Sequence, residues 1–278
     1  MSVRIRLGDA TTRLRDMADG SVRCCVTSPP YFGLRDYNHA DQLGSEATPE
    51  AYVEAMVKVF SEVRRVLAND GTLWLNIGDS YSRAGGRNPH TDPGGVGNNT
   101  NTALVQPASK GVPGVKPKNL VGIPWRLAFA LQADGWYLRQ DIIWHKPNPV
   151  PEPTKDRCTK AHEYLFLLSK QPRYFFNPII EPAVDGQGTR TRRSVWSVPV
   201  TSCDGAHFAV FPPALIEPCI LAGSVPGDTV LDPFMGSGTT GVVALQHGRK
   251  FAGIELNAKY VAMARARIAA SQAKAAVR

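Results

Sequence analysis

The sequence predicts a doubly wound α/β fold: one mostly parallel sheet, helices on both faces, and functional residues gathered at the carboxyl ends of the strands. Three observations carry this expectation. Helix-like and strand-like segments alternate from residue 22 to residue 273. A glycine-rich turn, Asp232-Pro233-Phe234-Met235-Gly236-Ser237-Gly238-Thr239-Thr240, follows an apolar strand and opens a helix. A second loop, Thr27-Ser28-Pro29-Pro30-Tyr31, closes a strand near the start of the chain.

Residues 22–27, Val-Arg-Cys-Cys-Val-Thr, form a β-prone run that the two prolines end, because proline has no N–H to give to a ladder. Residues 49–68 place Tyr52, Val53, Met56, Val59, Phe60, Val63, Val66 and Leu67 at helical spacing, and Asn69-Asp70-Gly71 is the expected stop. Residues 72–77 then read as a strand, 124–133 as a helix, 137–144 and 163–169 as strands, and 212–222 as a helix. The last four elements are a strand at 229–232, a helix at 239–247, a strand at 250–255 and a helix at 258–273.

Length and 43% hydrophobic content suit one folded body over 1–278, and no apolar run approaches the roughly 18 residues that would span a bilayer. Met1-Ser2-Val3-Arg4-Ile5-Arg6 lacks the apolar core of a signal peptide, so a cytoplasmic protein without a membrane partner is expected. Cys24, Cys25, Cys158, Cys203 and Cys219 show no metal-ligand spacing, which argues against zinc and against a disulfide framework. A formal charge of +8 favours a polyanionic partner.

Two stretches interrupt the alternation. Residues 82–119 are rich in Gly, Asn and Pro and carry Arg83, Arg87, Lys110, Lys116 and Lys118 against the single acid Asp92. Residues 181–206 carry Arg190, Arg192 and Arg193 ahead of Val195-Trp196. Each reads as a solvated linker or turn, or as a nucleic-acid surface in which Lys and Arg meet phosphates and base edges.

The turn at 232–241 matches GxGxxG through Gly236, Gly238 and Gly241, and Glu255 ends the next strand 17 residues after Gly238, where a carboxylate can accept from both hydroxyls of a ribose. Only 23 residues follow Glu255, too few to complete a sheet. Earlier segments must therefore supply the remaining strands, which weakens a dinucleotide-dehydrogenase reading. A plain strand–helix turn with a surface Glu255 is the alternative.

With both loops in view, the chain resembles the S-adenosylmethionine-dependent DNA amino-methyltransferases (the N4-cytosine/N6-adenine family), in the permuted group whose catalytic motif precedes the cofactor loop. Ser28-Pro29-Pro30-Tyr31 matches the family's (Asp/Asn/Ser)-Pro-Pro-(Tyr/Phe) motif, and Asp232 to Gly238 contains its Phe-x-Gly-x-Gly loop. Leu7-Gly8-Asp9 and His207-Phe208-Ala209-Val210-Phe211-Pro212 are further matches. The resemblance implies a circularly permuted, Rossmann-like methyltransferase fold, with 82–119 and 181–206 as inserted recognition segments.

It also implies a set of roles. The Ser28 hydroxyl and Pro29 carbonyl accept from the N–H bonds of an exocyclic amine, Pro30 stiffens the motif, and Tyr31 stacks on a flipped base. Glu255 takes the ribose of S-adenosyl-L-methionine, Phe234, Gly236, Gly238 and Thr239 its methionine part, and Asp9 its adenine. Phe208, Phe211 and Pro212 wall the pocket, or the two phenylalanines are core. Asp232 either meets the cofactor's amino group or caps the next helix. Arg83, Arg87, Lys110, Lys116, Lys118, Arg190, Arg192 and Arg193 contact double-stranded DNA. Adenine and cytosine both stay open as the target, and so does the oligomeric state, a homodimer or higher homo-oligomer being one option; a prokaryotic or phage-derived, nucleoid-associated setting is expected. The rivals are an RNA or protein-glutamine methyltransferase and a noncatalytic DNA-binding module. Pro218-Cys219 resembles the nucleophile of C5-cytosine methyltransferases but falls within a helical run, so Cys219 reads as core.

Overall fold

The β-prone runs of the sequence become strands of one sheet. A computed structural model describes residues 2–34, 39, 41–82, 111–183, 186–200 and 211–276. Its strands are β1 (Val3–Leu7), β2 (Val22–Thr27), β3 (Leu67–Ile77), β4 (Tyr137–His145), β5 (His162–Ser169), β6 (Ile180–Pro182), β7 (Thr189–Thr191), β8 (Val195–Ser197), β9 (Thr229–Asp232) and β10 (Lys250–Glu255). Its helices are α1 (Ala10–Arg15), α2 (Pro49–Val66), α3 (Ile123–Ala133), α4 (Pro213–Gly223), α5 (Thr239–Gln246) and α6 (Ala258–Ala276).

Eight strands form the main sheet in the order β1-β10-β9-β2-β3-β5-β4-β8, while β6 and β7 pair apart from it. Only β5 runs against its neighbours in the main sheet. The two C-terminal strands, β9 and β10, thus lie between β1 and β2. Sequence-distant strand ends become neighbours: Leu7 pairs with Glu255, Gly253 with Asp232, and Thr27 with Leu75.

Both faces of the sheet are covered, so its central strands are buried at consecutive positions rather than at alternate ones. Cys25, Leu73, Leu75, Phe166 and Leu168 pack under α1, α2 and α3 with Leu14, Tyr52, Met56, Phe60, Leu127 and Leu131. Their immediate neighbours Cys24, Trp74, Leu165 and Leu167 point the other way, onto Leu215, Ile216, Cys219 and Ile220 of α4 and Val243 of α5. Period-two alternation therefore explains the adjacent cysteines as one buried residue for each face. A third cluster joins Val242 of α5, Phe251 of β10 and Val261, Ala264 and Ile268 of α6.

The structure departs from the expected elements in three places. Helix α2 ends at Val66 and β3 begins at once at Leu67. Asn69-Asp70-Gly71, expected to separate helix from strand, instead forms an irregularity inside β3, where the register against β2 shifts between Val22 and Cys24. Gly71 is needed there because a Cβ would stand 2.9 Å from the Arg23 carbonyl oxygen.

β1 and α1 were not expected at all. Their signal is Val3-Arg4-Ile5-Arg6-Leu7, which alternates apolar and basic residues as an edge strand does; Val3 and Ile5 pack against the third cluster.

Finally, the segment 181–206 is built into the fold as far as it is described. Its residues form the β6–β7 pair and β8, which extends the sheet beside β4. Residues 83–110 and 201–210 lie outside the described residues. Among the described residues, no helix is long and apolar enough to cross a membrane.

Gly241, the third glycine of the GxGxxG match, serves helix packing. A Cβ there would lie 2.7 Å from the Phe251 ring and 2.8 Å from Ile268. Alanine normally stabilises a helix interior by about 1 kcal/mol over glycine. Here Gly241→Ala should instead lower stability by roughly 1–3 kcal/mol through overpacking, read as a fall in the urea midpoint with an unchanged slope.

Candidate functional site

Thr27, the last residue of β2, donates its hydroxyl to Asp232 Oδ1 at 2.7 Å, and Thr240 in the first turn of α5 donates to Asp232 Oδ2 at 2.7 Å. The Phe234 N–H adds a third bond to Oδ1 at 3.1 Å. This buried carboxylate joins the strand that ends in Ser28-Pro29-Pro30-Tyr31 to the loop that carries Gly236 and Gly238. Of its two expected roles, a cofactor contact or a cap on the next helix, the structure shows its oxygens bonded to Thr27, Phe234 and, in the first turn of α5, Thr240. Burial pushes its pKa up to about 6, against the pull of the three hydrogen bonds.

The glycine loop is held from two sides. Glu255 accepts from the Gly236 N–H at 2.9 Å and the Asn257 N–H at 2.8 Å, and burial raises the pKa of this carboxyl group. Arg267 of α6 donates to the hydroxyls of Ser237 at 2.9 Å and Thr239 at 2.8 Å. Thr239, expected to face the cofactor, is buried and bonded to Arg267 instead. The arginine had no signal in the sequence beyond its place on a helix.

Gly238 is left-handed (φ 81°) and a Cβ there would lie 2.9 Å from the Ala264 Cβ, so it serves packing and the turn. Gly236 is different. It is also left-handed (φ 50°), but the space before it is open, the nearest atom to a built Cβ being the Phe234 carbonyl oxygen at 4.0 Å. A ligand can approach the backbone there.

Gly8 N–H bonds the Glu255 carbonyl at 2.9 Å, which sets Asp9 beside the end of β10. Asp9 Oδ1 caps α1 through the Thr12 N–H at 2.8 Å and the Thr12 hydroxyl at 2.9 Å. Phe234 is half-buried and meets Phe60 edge-on at 6.4 Å. Glu255 thus has Gly236 bonded to its side chain and Gly8, next to Asp9, bonded to its carbonyl, with Phe234 two residues from Gly236. A polar, partly apolar ligand with a ribose fits this set, as the expected cofactor would. Phe211 is buried in the cluster of Trp144, Trp196 and Leu215, and Pro212 is the N-cap residue of α4. Of the three pocket-wall residues, Phe211 is thus core, and Phe208 lies outside the described residues.

At the Ser28 motif, Pro29 is buried and Ser28, Pro30 and Tyr31 are half-buried. Pro30's carbonyl accepts from Tyr52 at 2.8 Å, which anchors the motif to α2. The Tyr31 hydroxyl bonds Glu163 Oε2 at 2.6 Å and stands 3.3 Å from both Ser28 Oγ and Asn76 Oδ1. Glu163 also forms an ion pair with Lys146, which in turn sits 4.4 Å over the Trp144 ring. Gly78 permits this arrangement, because a Cβ would stand 2.7 Å from Tyr31 Cε2. Burial, then the nearby Glu163 charge, hold the Tyr31 pKa well above its usual value. The sequence reading missed Asn76, Lys146 and Glu163, each of which sits inside or just after an apolar strand run.

The expected DNA-contacting residues divide. Arg83, Arg87 and Lys110 lie outside the described residues. Lys116 is exposed, and Lys118 is exposed but paired with Asp156 at 2.6 Å. Arg190 pairs with Glu181 at 2.8 Å, and Arg192 lies 4.2 Å over the Trp196 ring. Arg192 and Arg193 share a cavity with Arg139, six residues before the end of β4. They precede Val195, which pairs with Ile143 two residues before the end of β4, so they lie back from the carboxyl edge of the sheet and the structure does not gather them at the Ser28 motif. Cys219 is fully buried in α4, with a thiol pKa raised by burial, as a core residue should be. No cluster of metal-ligating side chains occurs among the described residues.

Comparison with known proteins is consistent with these features. The model of a family described as DNA methylase matches residues 22–266. The chain is 53% identical over 264 residues to the type II methyltransferase M.XycI of Xanthomonas campestris pv. cyanopsidis, covering 94% of this chain and 86% of that one. It is 49% identical over 270 residues to the type II methyltransferase M.SmaI of Serratia marcescens, covering 96% and 91%. Among solved structures, PvuII DNA methyltransferase (cytosine-N4-specific) gives a TM-score of 0.70 at 21% identity, covering 96% of this chain and 86% of that one. A DNA modification methylase from Thermus thermophilus, complexed with S-adenosyl-L-methionine, gives 0.64 at 24% identity, covering 98% and 96%. At these identities both structures show a shared fold.

Asp232 provides a test. Its folded pKa of about 6 lies above the ordinary 3.8, so the native state binds the proton more tightly than the unfolded chain does. Its contribution to stability is therefore full below about pH 4 and is lost as pH rises through about 6, a change of up to ~3 kcal/mol. Asp232→Asn removes this titration. Urea unfolding between about pH 4 and 6 should show wild type losing stability relative to Asp232→Asn; parallel profiles would contradict the assignment.

Proposed function

The chain belongs to the DNA methylase family, and from that premise we propose that it is a site-specific DNA methyltransferase, moving a methyl group from S-adenosylmethionine to an exocyclic amino group of double-stranded DNA. The acceptor is adenine N6 or cytosine N4. One observation supports the reading above the rest: the Thr27–Asp232–Thr240 tie seats the Ser-Pro-Pro-Tyr motif beside the glycine loop, so one chain carries acceptor and donor sites together.

When bound, the cofactor would supply an electrophilic methyl carbon on a sulfonium: the N–C bond would form as the S–C bond breaks, releasing the neutral thioether, and the extra proton on nitrogen would pass to solvent, with no covalent enzyme intermediate. The residues present fit it: Glu255 for the ribose hydroxyls, Asp9 toward the adenine, and Gly236 and Phe234 toward the methionine part.

The protein's work on the acceptor follows from the amine's electronics. Its lone pair is delocalised into the base, so the nitrogen is a poor nucleophile while planar. Acceptors on its two N–H bonds favour a pyramidal nitrogen and free the lone pair. Ser28 Oγ and the Pro29 carbonyl are those acceptors. The target base must leave the stack to reach them, at a cost of a few kcal/mol that stacking on the Tyr31 ring offsets.

DNA approaches the carboxyl ends of the strands, where exposed Lys116 is available to phosphates, and Arg193 supplies charge at greater distance. The reading places the protein with DNA in the cytoplasm. Assembly into a homo-oligomer is not required by it, since each chain holds both motifs.

Purified protein with labelled S-adenosylmethionine should label duplex DNA and leave RNA and protein unlabelled; label in RNA or protein alone would favour the rival methyltransferases, and absence of cofactor binding by calorimetry would favour a noncatalytic module. Ser28→Ala should lower kcat about 100-fold, with cofactor affinity held within about twofold. Equal losses of turnover and affinity would count against the acceptor role of Ser28.

A further inference from the structure

A serine hydroxyl can donate or accept, whereas the proposed chemistry needs it only to accept. An asparagine or aspartate side chain at that motif position would offer an acceptor oxygen without this ambiguity. The surroundings of Ser28 contain a device that removes it.

Glu163 stands at the start of β5, beside the end of β3 that carries Asn76. Its Oε1 is ion-paired with Lys146, and its Oε2 lies 2.6 Å from the Tyr31 hydroxyl. A carboxylate in an ion pair only accepts, so the single phenolic proton of Tyr31 is given to Glu163. Asn76 Oδ1, also facing that hydroxyl, is 3.3 Å away and neutral, and so loses the competition. The Asn76 amide nitrogen is itself committed to the Tyr164 carbonyl at 3.1 Å and to Glu163 Oε2 at 3.3 Å, which fixes which end of the amide faces Tyr31. With its proton committed, the Tyr31 oxygen can only accept. The neighbour placed to donate to it is Ser28 Oγ, at 3.3 Å. Burial and the Glu163 charge keep the phenol protonated, so the direction of the chain does not reverse.

We propose that Glu163 is a positioning residue that sets the hydrogen-bond polarity of the catalytic motif. Through Tyr31 it draws the Ser28 proton away from the substrate, so that Ser28 meets the base with lone pairs alone. Lys146 holds Glu163 in place, and the relay Glu163–Tyr31–Ser28 makes a hydroxyl act as an obligate acceptor. The inference rests on the acceptor role of Ser28 proposed above.

The test is a double-mutant cycle of Glu163→Gln and Tyr31→Phe. Turnover is read as transfer from labelled S-adenosylmethionine to genomic DNA of a methylation-free host, by single-turnover kinetics, and cofactor Kd by calorimetry. Wild-type transfer establishes the activity itself, so failure of the proposed function is seen separately from failure of the relay. Each single variant should lower the transfer rate about 10- to 100-fold, with cofactor Kd unchanged within about twofold. Because both break one chain, the double variant should be no slower than the worse single by more than about threefold. Multiplicative losses, or cofactor affinity falling in step with rate, would overturn the proposal. Thermal melting monitors folding; should Glu163→Gln unfold by stranding Lys146, Tyr31→Phe decides alone, and a wild-type rate in it overturns the relay.

Discussion

The site depends on one buried carboxylate. Asp232 sits where β9 ends, and its two oxygens hold the end of β2 on one side and the first turn of α5 on the other. Thr27 and Asp232 are 205 residues apart in the chain. Burying a carboxylate is costly unless it is hydrogen-bonded, and here two threonine hydroxyls and a backbone N–H supply the bonds. Their geometry leaves little freedom in how the Ser28 loop and the glycine loop face each other. Ser28 follows Thr27 directly and Phe234 lies two residues beyond Asp232, so the tie transmits position to both halves of the site.

The polar residues around that tie sort by depth. On the side of α5, Glu255 and Arg267 hold the glycine loop and leave Gly236 facing open space. On the side of the Ser28 motif, Glu163, Tyr31 and Asn76 form a network where β2 and β3 end and β5 begins. The antiparallel course of β5 matters here, because it delivers the start of that strand, and hence Glu163, to the same edge as the ends of its parallel neighbours. Had β5 run parallel, its Ser169 end would occupy that position.

Much of this was legible in the sequence. The motif at 28–31 and the loop at 232–241 stand out in the sequence, and the structure brings them together through Thr27 and Asp232, with β9 and β10 interleaved between β1 and β2. What escaped has physical reasons. β1 is an edge strand whose alternate arginines hide its apolar face. Asn76 and Glu163 belong to strands so apolar that single polar residues read as pattern noise; only the pairing of β3 with β5 brings them together. Thr239 reads as a cofactor contact, and Asp232 as either a cofactor contact or a helix cap, because residue type shows the capacity to bond, while the partner is decided by packing. The arginines at 190–193 read as a free basic patch, yet Glu181 and Trp196, in the same segment, engage two of them.

The Pro-Cys pair of the sequence does not supply the nucleophile that transfer to a ring carbon uses. Such transfer needs an accessible cysteine nucleophile, and Cys219, in its Pro-Cys pair, is enclosed in α4 and fully buried. DNA treated with the protein and S-adenosylmethionine, digested to nucleosides and resolved by mass spectrometry, therefore tests the central claim most directly. N6-methyl-2′-deoxyadenosine or N4-methyl-2′-deoxycytidine is the product expected of transfer to an amino group; 5-methyl-2′-deoxycytidine would contradict it.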